Sequence, residues 1–305
     1  MDGLLVIDKP AGPTSHDVVA RVRRALRERR IGHTGTLDPV ATGVLPLVVG
    51  RATRLARFLS AGDKSYAVVI QLGVRTDTAD RDGRPVGERY SGPWPSRDAI
   101  DRALDAFRGS FLQQPPAFSA KRIAGKRSYD LARAATARED IAQPRPAPVI
   151  VTARTIELVT VDEGELTINV ECSAGFYVRA LAHDLGEALE TGAHVVALRR
   201  TRIDDVGLDQ AIGLHVAERD PARVAAALIP LADMLPRLSR VVLTADGVRR
   251  AMNGCELGPR DTNPDTSQIP DPASQYVRLF DPAGQLAGIA SVKAPGLLHP
   301  SVILV

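Results

Sequence analysis

The sequence predicts an α+β protein that carries a small β-rich unit at its C-terminal end. Three observations carry this. Amphipathic helical stretches and alternating strand-like stretches follow one another without a strict strand–helix–strand beat. The 305 residues suggest about two domains, and the 44% hydrophobic and 25% charged fractions are ordinary for a globular chain. Near Leu238 the pattern changes to short strands and turns, which divides the chain into 1–237 and 238–305.

The elements read in order as follows. Leu4–Ile7 is a short strand ahead of a Pro-Gly turn. Ser15 is placed to cap a helix from about 16 to 30, with Val18, Val19, Val22, Ala25 and Leu26 on one face and arginines on the other; Gly32 stops it. Residues 44–49 form a buried strand weakened by Pro46. A helix with Ala52, Leu55, Ala56 and Leu59 inward runs to Gly62, and 66–72 alternates as a strand. Residues 75–93 are turn-rich, with Asp82-Gly83 a hairpin tip. Ser96 caps a helix whose Ile100, Ala103, Leu104 and Phe107 share a face. Residues 113–148 are Pro-rich, then basic with interleaved aromatics, and read as a long excursion. Strands follow at 149–161 and 166–172, a helix at 177–190 and a strand near 195–203. Beyond 238 come a strand, a short helix capped by Thr244, a polar loop at 259–275 and three short strands.

Charge and composition narrow the function. Net charge is +3, yet residues 1–60 hold ten Lys/Arg against five Asp/Glu, and residues 119–146 hold seven against three. Such patches steer a polyanion, although solvated helix faces give the same pattern. Two cysteines support neither a disulfide framework nor a four-ligand zinc site. The histidines are scattered, and no phosphate-loop, dinucleotide or zinc-protease signature occurs. No metal and no cofactor are therefore expected. No apolar run reaches the roughly 18 residues that span a bilayer, so no membrane partner is expected and the cytoplasm is the default location.

Three stretches can carry chemistry. In IGHTGTLDPVATG, Asp38 stands in a loop before a strand, and Pro39 keeps it out of the helical region. A carboxylate so placed serves as nucleophile or base; an ordinary Asp-Pro turn looks the same. In CSAGFYVRALAHDLG, Arg179 lies in the first turn of a helix, where its fork suits a carboxylate, a phosphate or plain solvent. In DKSYAVVIQLG, Tyr66 opens a strand, as core or as a stacking platform for a base.

Taken together, GLLVIDKPAGPTSHD, GHTGTLDPVATGVLPLVVGRATR, DKSYAVVIQLGVRTDTAD, CSAGFYVRALAHDLG and GAHVVALRRTRI resemble the bacterial tRNA pseudouridine-55 synthases, in that family's order, over residues 3 to about 203. The tail resembles, more loosely, their RNA-binding PUA domain. The resemblance implies a mixed, mainly antiparallel sheet flanked by helices in a catalytic domain over 1–237, with a PUA-like domain over 238–305. It implies isomerisation of uridine 55 in the T-loop of tRNA, without cofactor, on a flipped-out base.

The resemblance also assigns roles. Asp38 is the expected catalytic carboxylate, Tyr66 packs on the base and Arg179 pairs with the aspartate. Leu198 lines the pocket, His33 sits beside the space the flipped nucleotide leaves, and Tyr177 and Lys64 are expected to bind substrate. The insertion near 115–146 is an RNA clamp. Arg24, Arg27, Lys121, Arg122 and Lys126 are expected to meet phosphates, and the tail to reach the acceptor stem of a tRNA bound by a monomer. Two alternatives remain at this point: an RNA N-glycosidase, which would lighten its RNA, and a tRNA-folding chaperone without chemistry.

Overall fold

The computed structural model describes residues 1–119, 121–129, 131, 145–263 and 275–304. The chain runs β1 (Gly3–Lys9), α1 (Ser15–Leu26), β2 (Ile31–His33), β3 (Thr42–Val49), α2 (Ala56–Leu59) and β4 (Lys64–Leu72). A small hairpin, β5 (Arg75–Thr76) with β6 (Pro85–Val86), precedes α3 (Arg97–Asp105) and β7 (Gly109–Gln113). A second hairpin, β8 (Arg122–Ile123) with β9 (Lys126–Arg127), stands in the basic insertion. Then come β10 (Val149–Asp162), β11 (Glu165–Cys172), α4 (Val178–Ala188) and β12 (Ala193–Ile203). Short segments follow: β13 (Val206–Gly207), β14 (Ile212–Gly213), α5 (Leu214–Arg219), α6 (Pro221–Ala227) and β15 (Ile229–Pro230). The C-terminal part holds β16 (Arg240–Val242), α7 (Ala245–Met252), β17 (Tyr276–Phe280), β18 (Leu286–Ala294) and β19 (Leu297–Ile303).

The main sheet has the order β14-β1-β3-β12-β4-β11-β10-β7, antiparallel along this path except at the β1–β14 and β3–β12 contacts. The second sheet is β16-β17-β18-β19. This is the mixed α+β arrangement with a C-terminal sheet that the sequence predicts. Alternation in β4 places Tyr66, Val68, Ile70 and Leu72 in the core. Val18, Val19 and Val22 of α1 join the same core, as do Val178, Leu181, Ala182 and Leu185 of α4.

Both ends of α1 differ from the sequence reading, and the helix read over 52–62 is a 3-10 turn, Gly50–Leu55, followed by the short α2. Thr14, not Ser15, caps α1, in a reciprocal box with Asp17. Ser15 is instead buried and exchanges hydrogen bonds with the backbone of Leu37 (3.0 and 2.8 Å). The helix ends at Leu26 rather than near 30, because Arg27 turns left-handed (φ 52°). Ile31 is then free to enter the sheet opposite Val49. At the parallel β3–β12 step, Gly43 has φ +98°, and a Cβ there would lie 2.1 Å from the Arg200 carbonyl oxygen, so no other residue fits.

The C-terminal sheet shares a core with the first strands. Leu4, Val48, Ala52 and Leu55 pack with Met234, Val242, Phe280, Leu286, Ile289 and Leu304. The buried Arg278 donates to the carbonyls of Leu238 (3.0 Å), Ala232 (3.2 Å) and Met234 (3.3 Å). Arg51 donates to the Leu304 carbonyl (2.8 Å). A groove of about 1000 Å³, lined by Phe58, Ile203, Met234 and Tyr276 among others, lies along this junction, away from Asp38.

Cutting the chain near Pro236 would wet Leu4, Val48 and Leu55. At about 1.5–3 kcal/mol for each large side chain, that costs on the order of 5 kcal/mol. The expected result in a calorimetric scan is a Tm lowered by roughly 10–20 °C. A shift under about 3 °C would show that the tail packs without stabilising the rest.

Candidate active site

Asp38 sits in the loop between β2 and β3, and two buried cations pin that loop from either side. Lys9 is wholly buried and donates to the carbonyls of Ala41 (2.7 Å), Pro10 (3.0 Å) and Pro39 (3.2 Å). Burial pulls its ammonium down to about 8, while the charge of Asp38 works the other way. Arg200 of β12 donates to the carbonyls of Val44 (2.8 Å), Gly35 (3.0 Å) and Thr36 (3.3 Å). The Ser15–Leu37 pair and Gly12 N–H to Pro39 carbonyl (2.9 Å) complete the anchoring. These bonds fix the loop backbone, so the position from which the Asp38 side chain projects is set before any substrate arrives.

Arg179, in the first turn of α4 and 5% exposed, reaches Asp38 through Nε (2.8 Å) and Asp80 through Nη1 (3.6 Å). The same guanidinium donates to the carbonyls of Thr78 (2.9 Å) and Phe118 (2.8 Å). Asp80 is itself buried and accepts from the Thr78 hydroxyl (2.6 Å) and the Asp82 N–H (3.2 Å). It lies in the acid-rich stretch 77–82, which reads as a surface turn, so sequence reasoning passed over it.

Asp38 and Arg179 open on a cavity of about 250 Å³ whose lining also includes Lys64, Tyr66, Tyr177, Leu198 and Arg200. Tyr66 stands across the sheet from Arg200 on one side and Val170 on the other. Burial raises its phenol, and the charge of Arg200 opposes that shift. Tyr177 precedes α4, its N–H bonded to the Gln113 side chain (2.9 Å), whose amide returns a bond to the Tyr177 carbonyl (3.0 Å). Lys64 donates to the Gly62 carbonyl (2.6 Å), and burial lowers its ammonium. The cavity thus combines aromatic and apolar walls with the Asp38 carboxylate and the cations of Lys64, Arg179 and Arg200.

His33 does not line this cavity. It packs edge-on against His16, with ring centroids 5.1 Å apart. Burial, followed by the charges of His16 and Arg200, brings it down to about 4, so it is neutral at neutral pH. Arg24 and Arg27 are exposed on the outer side of α1, while Arg21 pairs with Glu218 (2.6 Å). Lys126 is exposed and Lys121 half-buried at the β8–β9 hairpin. The Arg122 side chain, with residues 120, 130 and 132–144 of the expected clamp, lies outside the described residues, as do 264–274 of the 259–275 loop.

Cys172 is buried and its thiol is pushed up to about 12, so it is no nucleophile. Among the described residues no group of three His, Cys, Asp or Glu could hold a metal. No helix among them is long and apolar enough to cross a membrane.

Residues 23–178 match the N-terminal domain of the TruB family pseudouridylate synthases. Residues 179–235 match the tRNA pseudouridylate synthase B C-terminal domain. The chain is 42% identical to the tRNA pseudouridine synthase B of Solibacter usitatus, over 100% of both chains. It is 39% identical to that of Mycobacterium bovis, over 98% of each. In fold it is similar to the archaeal box H/ACA Nop10–Cbf5 complex, with TM-score 0.73 and 22% identity over 99% of this chain and 86% of that one. An H/ACA ribonucleoprotein bound to a substrate RNA containing 2′-deoxyuridine gives TM-score 0.72 and 23% identity, over 99% and 85%.

Proposed function

The chain belongs to the TruB family of pseudouridylate synthases, and from that premise we propose that it isomerises uridine 55 in the T-loop of tRNA, with Asp38 as the reacting carboxylate. One observation carries the reading: Asp38 and Arg179, with Asp80 behind the arginine, line a small cavity walled by Tyr66 and Leu198. The reaction breaks the N1–C1′ bond, turns the uracil and joins C5 to C1′. C5 loses a proton and N1 gains one, so mass is unchanged. Asp38, oriented by Arg179, is placed either to bond to the sugar or base or to stabilise a cationic ribose. Tyr66 stacks on the uracil and takes part in the late proton transfer.

A stacked uridine must leave the RNA to reach this slot, at a cost of a few kcal/mol. Phosphate contacts from Arg24, Arg27, Lys121, Arg122 and Lys126 offset it, and His33 fills the space left behind. In this reading 1–237 is the catalytic domain, 238–305 is a PUA-like domain that reaches the acceptor stem, and one chain acts alone.

The test is a tRNA transcript incubated with the protein, weighed intact and mapped by carbodiimide labelling. The expected result is unchanged mass and one new labelled site at position 55. A lighter RNA would replace this reading by a glycosidase, and binding without a labelled site by a chaperone. Binding should also weaken with salt. With about five phosphates contacted, log K falls against log[salt] with a slope of roughly −3.5 to −4.5. Replacing Arg24 and Arg27 together by Ala should reduce that magnitude by about one to two. A slope unaltered in filter-binding titrations would mean that α1 faces away from the RNA.

A further inference from the structure

Arg200 is 1% exposed, yet among the described residues no carboxylate forms an ion pair with it. Its two neighbours in β12 differ: Arg199 pairs with Asp8 (2.8 Å) and Arg202 with Glu171 (2.5 Å), both at the surface. The Arg200 guanidinium is spent on neutral oxygens: the carbonyls of Val44, Thr36 and Gly35. Arg200 and Tyr66 are direct cross-strand partners in the β12–β4 register, and both line the slot that holds Asp38. A buried cation without a contacting anion is costly and favours any negative charge that forms beside it.

We propose that Arg200 is a positioning residue for Tyr66: its guanidinium holds the phenolic oxygen as an acceptor, turns the O–H bond into the slot and stabilises the phenolate that takes the C5 proton. The inference rests on the reading that uracil occupies this slot. The phenol first gives its proton to water. After C5 has joined C1′, the phenolate oxygen takes the C5 proton and the electron pair of that bond forms the C5–C6 double bond. The former C6–N1 double-bond pair moves to N1, which takes a proton from water. The phenol is thereby restored.

The same guanidinium grips the backbone before Asp38 at Gly35 and Thr36, so one side chain sets the spacing between the carboxylate and the phenol. The other groups that face Tyr66 are Asp38 from the β2–β3 loop and the neutral thiol of Cys172 from β11. Lys64, Arg179 and Tyr177 border the same slot. Of these cations, Arg200 is the direct cross-strand partner of Tyr66.

The test needs no RNA, so its failure is distinct from failure of the proposed reaction. Tyr66 is titrated by ultraviolet difference absorbance, the Tyr66→Phe chain serving as reference for the other tyrosines. In Arg200→Gln the Tyr66 transition should move upward by about one pH unit or more, since a lost neighbouring charge shifts a phenol on that order. Arg200→Lys, which keeps the charge but loses the fork, should move it less. Single-turnover isomerisation should fall at least about tenfold in the Gln variant, with the KM for tRNA unchanged. If Arg200→Gln does not fold, the Lys variant decides. A Tyr66 transition unmoved in whichever variant folds overturns the proposal.

Discussion

Asp38→Asn is expected to abolish isomerisation while leaving tRNA affinity near that of the unaltered chain. The swap is nearly isosteric and keeps the loop anchored, because Lys9, Arg200 and Ser15 hold the backbone around Asp38 and not its carboxylate. It removes one of the two carboxylates that meet Arg179. Neutralising a positioned reacting or proton-moving group costs on the order of 10³-fold or more. Single-turnover kinetics with excess protein would read this directly. Turnover within about tenfold of the original, beyond what deamidation explains, would mean that another group does the chemistry.

Arg179→Met is expected to damage both stability and activity. The guanidinium meets two carboxylates and two backbone carbonyls from a site that is 5% exposed. Methionine fills much of the volume but leaves Asp80 and the Thr78 and Phe118 carbonyls without their donor. Breaking a buried ion pair costs about 3–5 kcal/mol, and the lower end applies because a third of the Asp38 side chain remains exposed. Turnover should fall by at least about 10²-fold, the loss that follows removal of one preorganised electrostatic partner. Arg179→Lys should recover much of the stability and little of the rate, because an ammonium cannot fork between Asp38 and Asp80. Urea melts and single-turnover rates on the two variants separate these effects. Near-normal rates in the Met variant would detach Arg179 from the reaction.

Much of this site is legible in the sequence because its groups occupy pattern-breaking places. Asp38 stands in a Gly- and Pro-punctuated loop, Tyr66 opens an alternating strand, and Arg179 begins a helix. The buried partners are hidden by ordinary surroundings. Lys9 follows Asp8 at the end of a short apolar run and looks like a solvated flank. Arg200 stands between Arg199 and Arg202, and only the two-residue period of a strand betrays it: it shares a face with Leu198, already assigned to the pocket. Asp80 is one acid among several in a turn, and its burial depends on the arrival of α4. The end of α1 is hidden from a local reading for a similar reason. Local propensity favours continuation to 30, but pairing of Ile31 with β3 is a long-range gain that no window on the helix contains.

The core shared between Leu4 and Leu304 has a consequence for how the protein is made. Arg51 and its partner carbonyl are 253 positions apart in the chain. At about 5–20 residues per second, a ribosome needs on the order of ten seconds to a minute to synthesise that interval. Throughout it, the apolar face formed by Leu4, Val48 and Leu55 has no permanent cover. Newborn chains therefore pass through a sticky stage whose duration is set by translation speed and not by folding rate. Slow codons late in the message would lengthen that stage, and a chaperone that binds exposed leucine and valine would have its longest opportunity there.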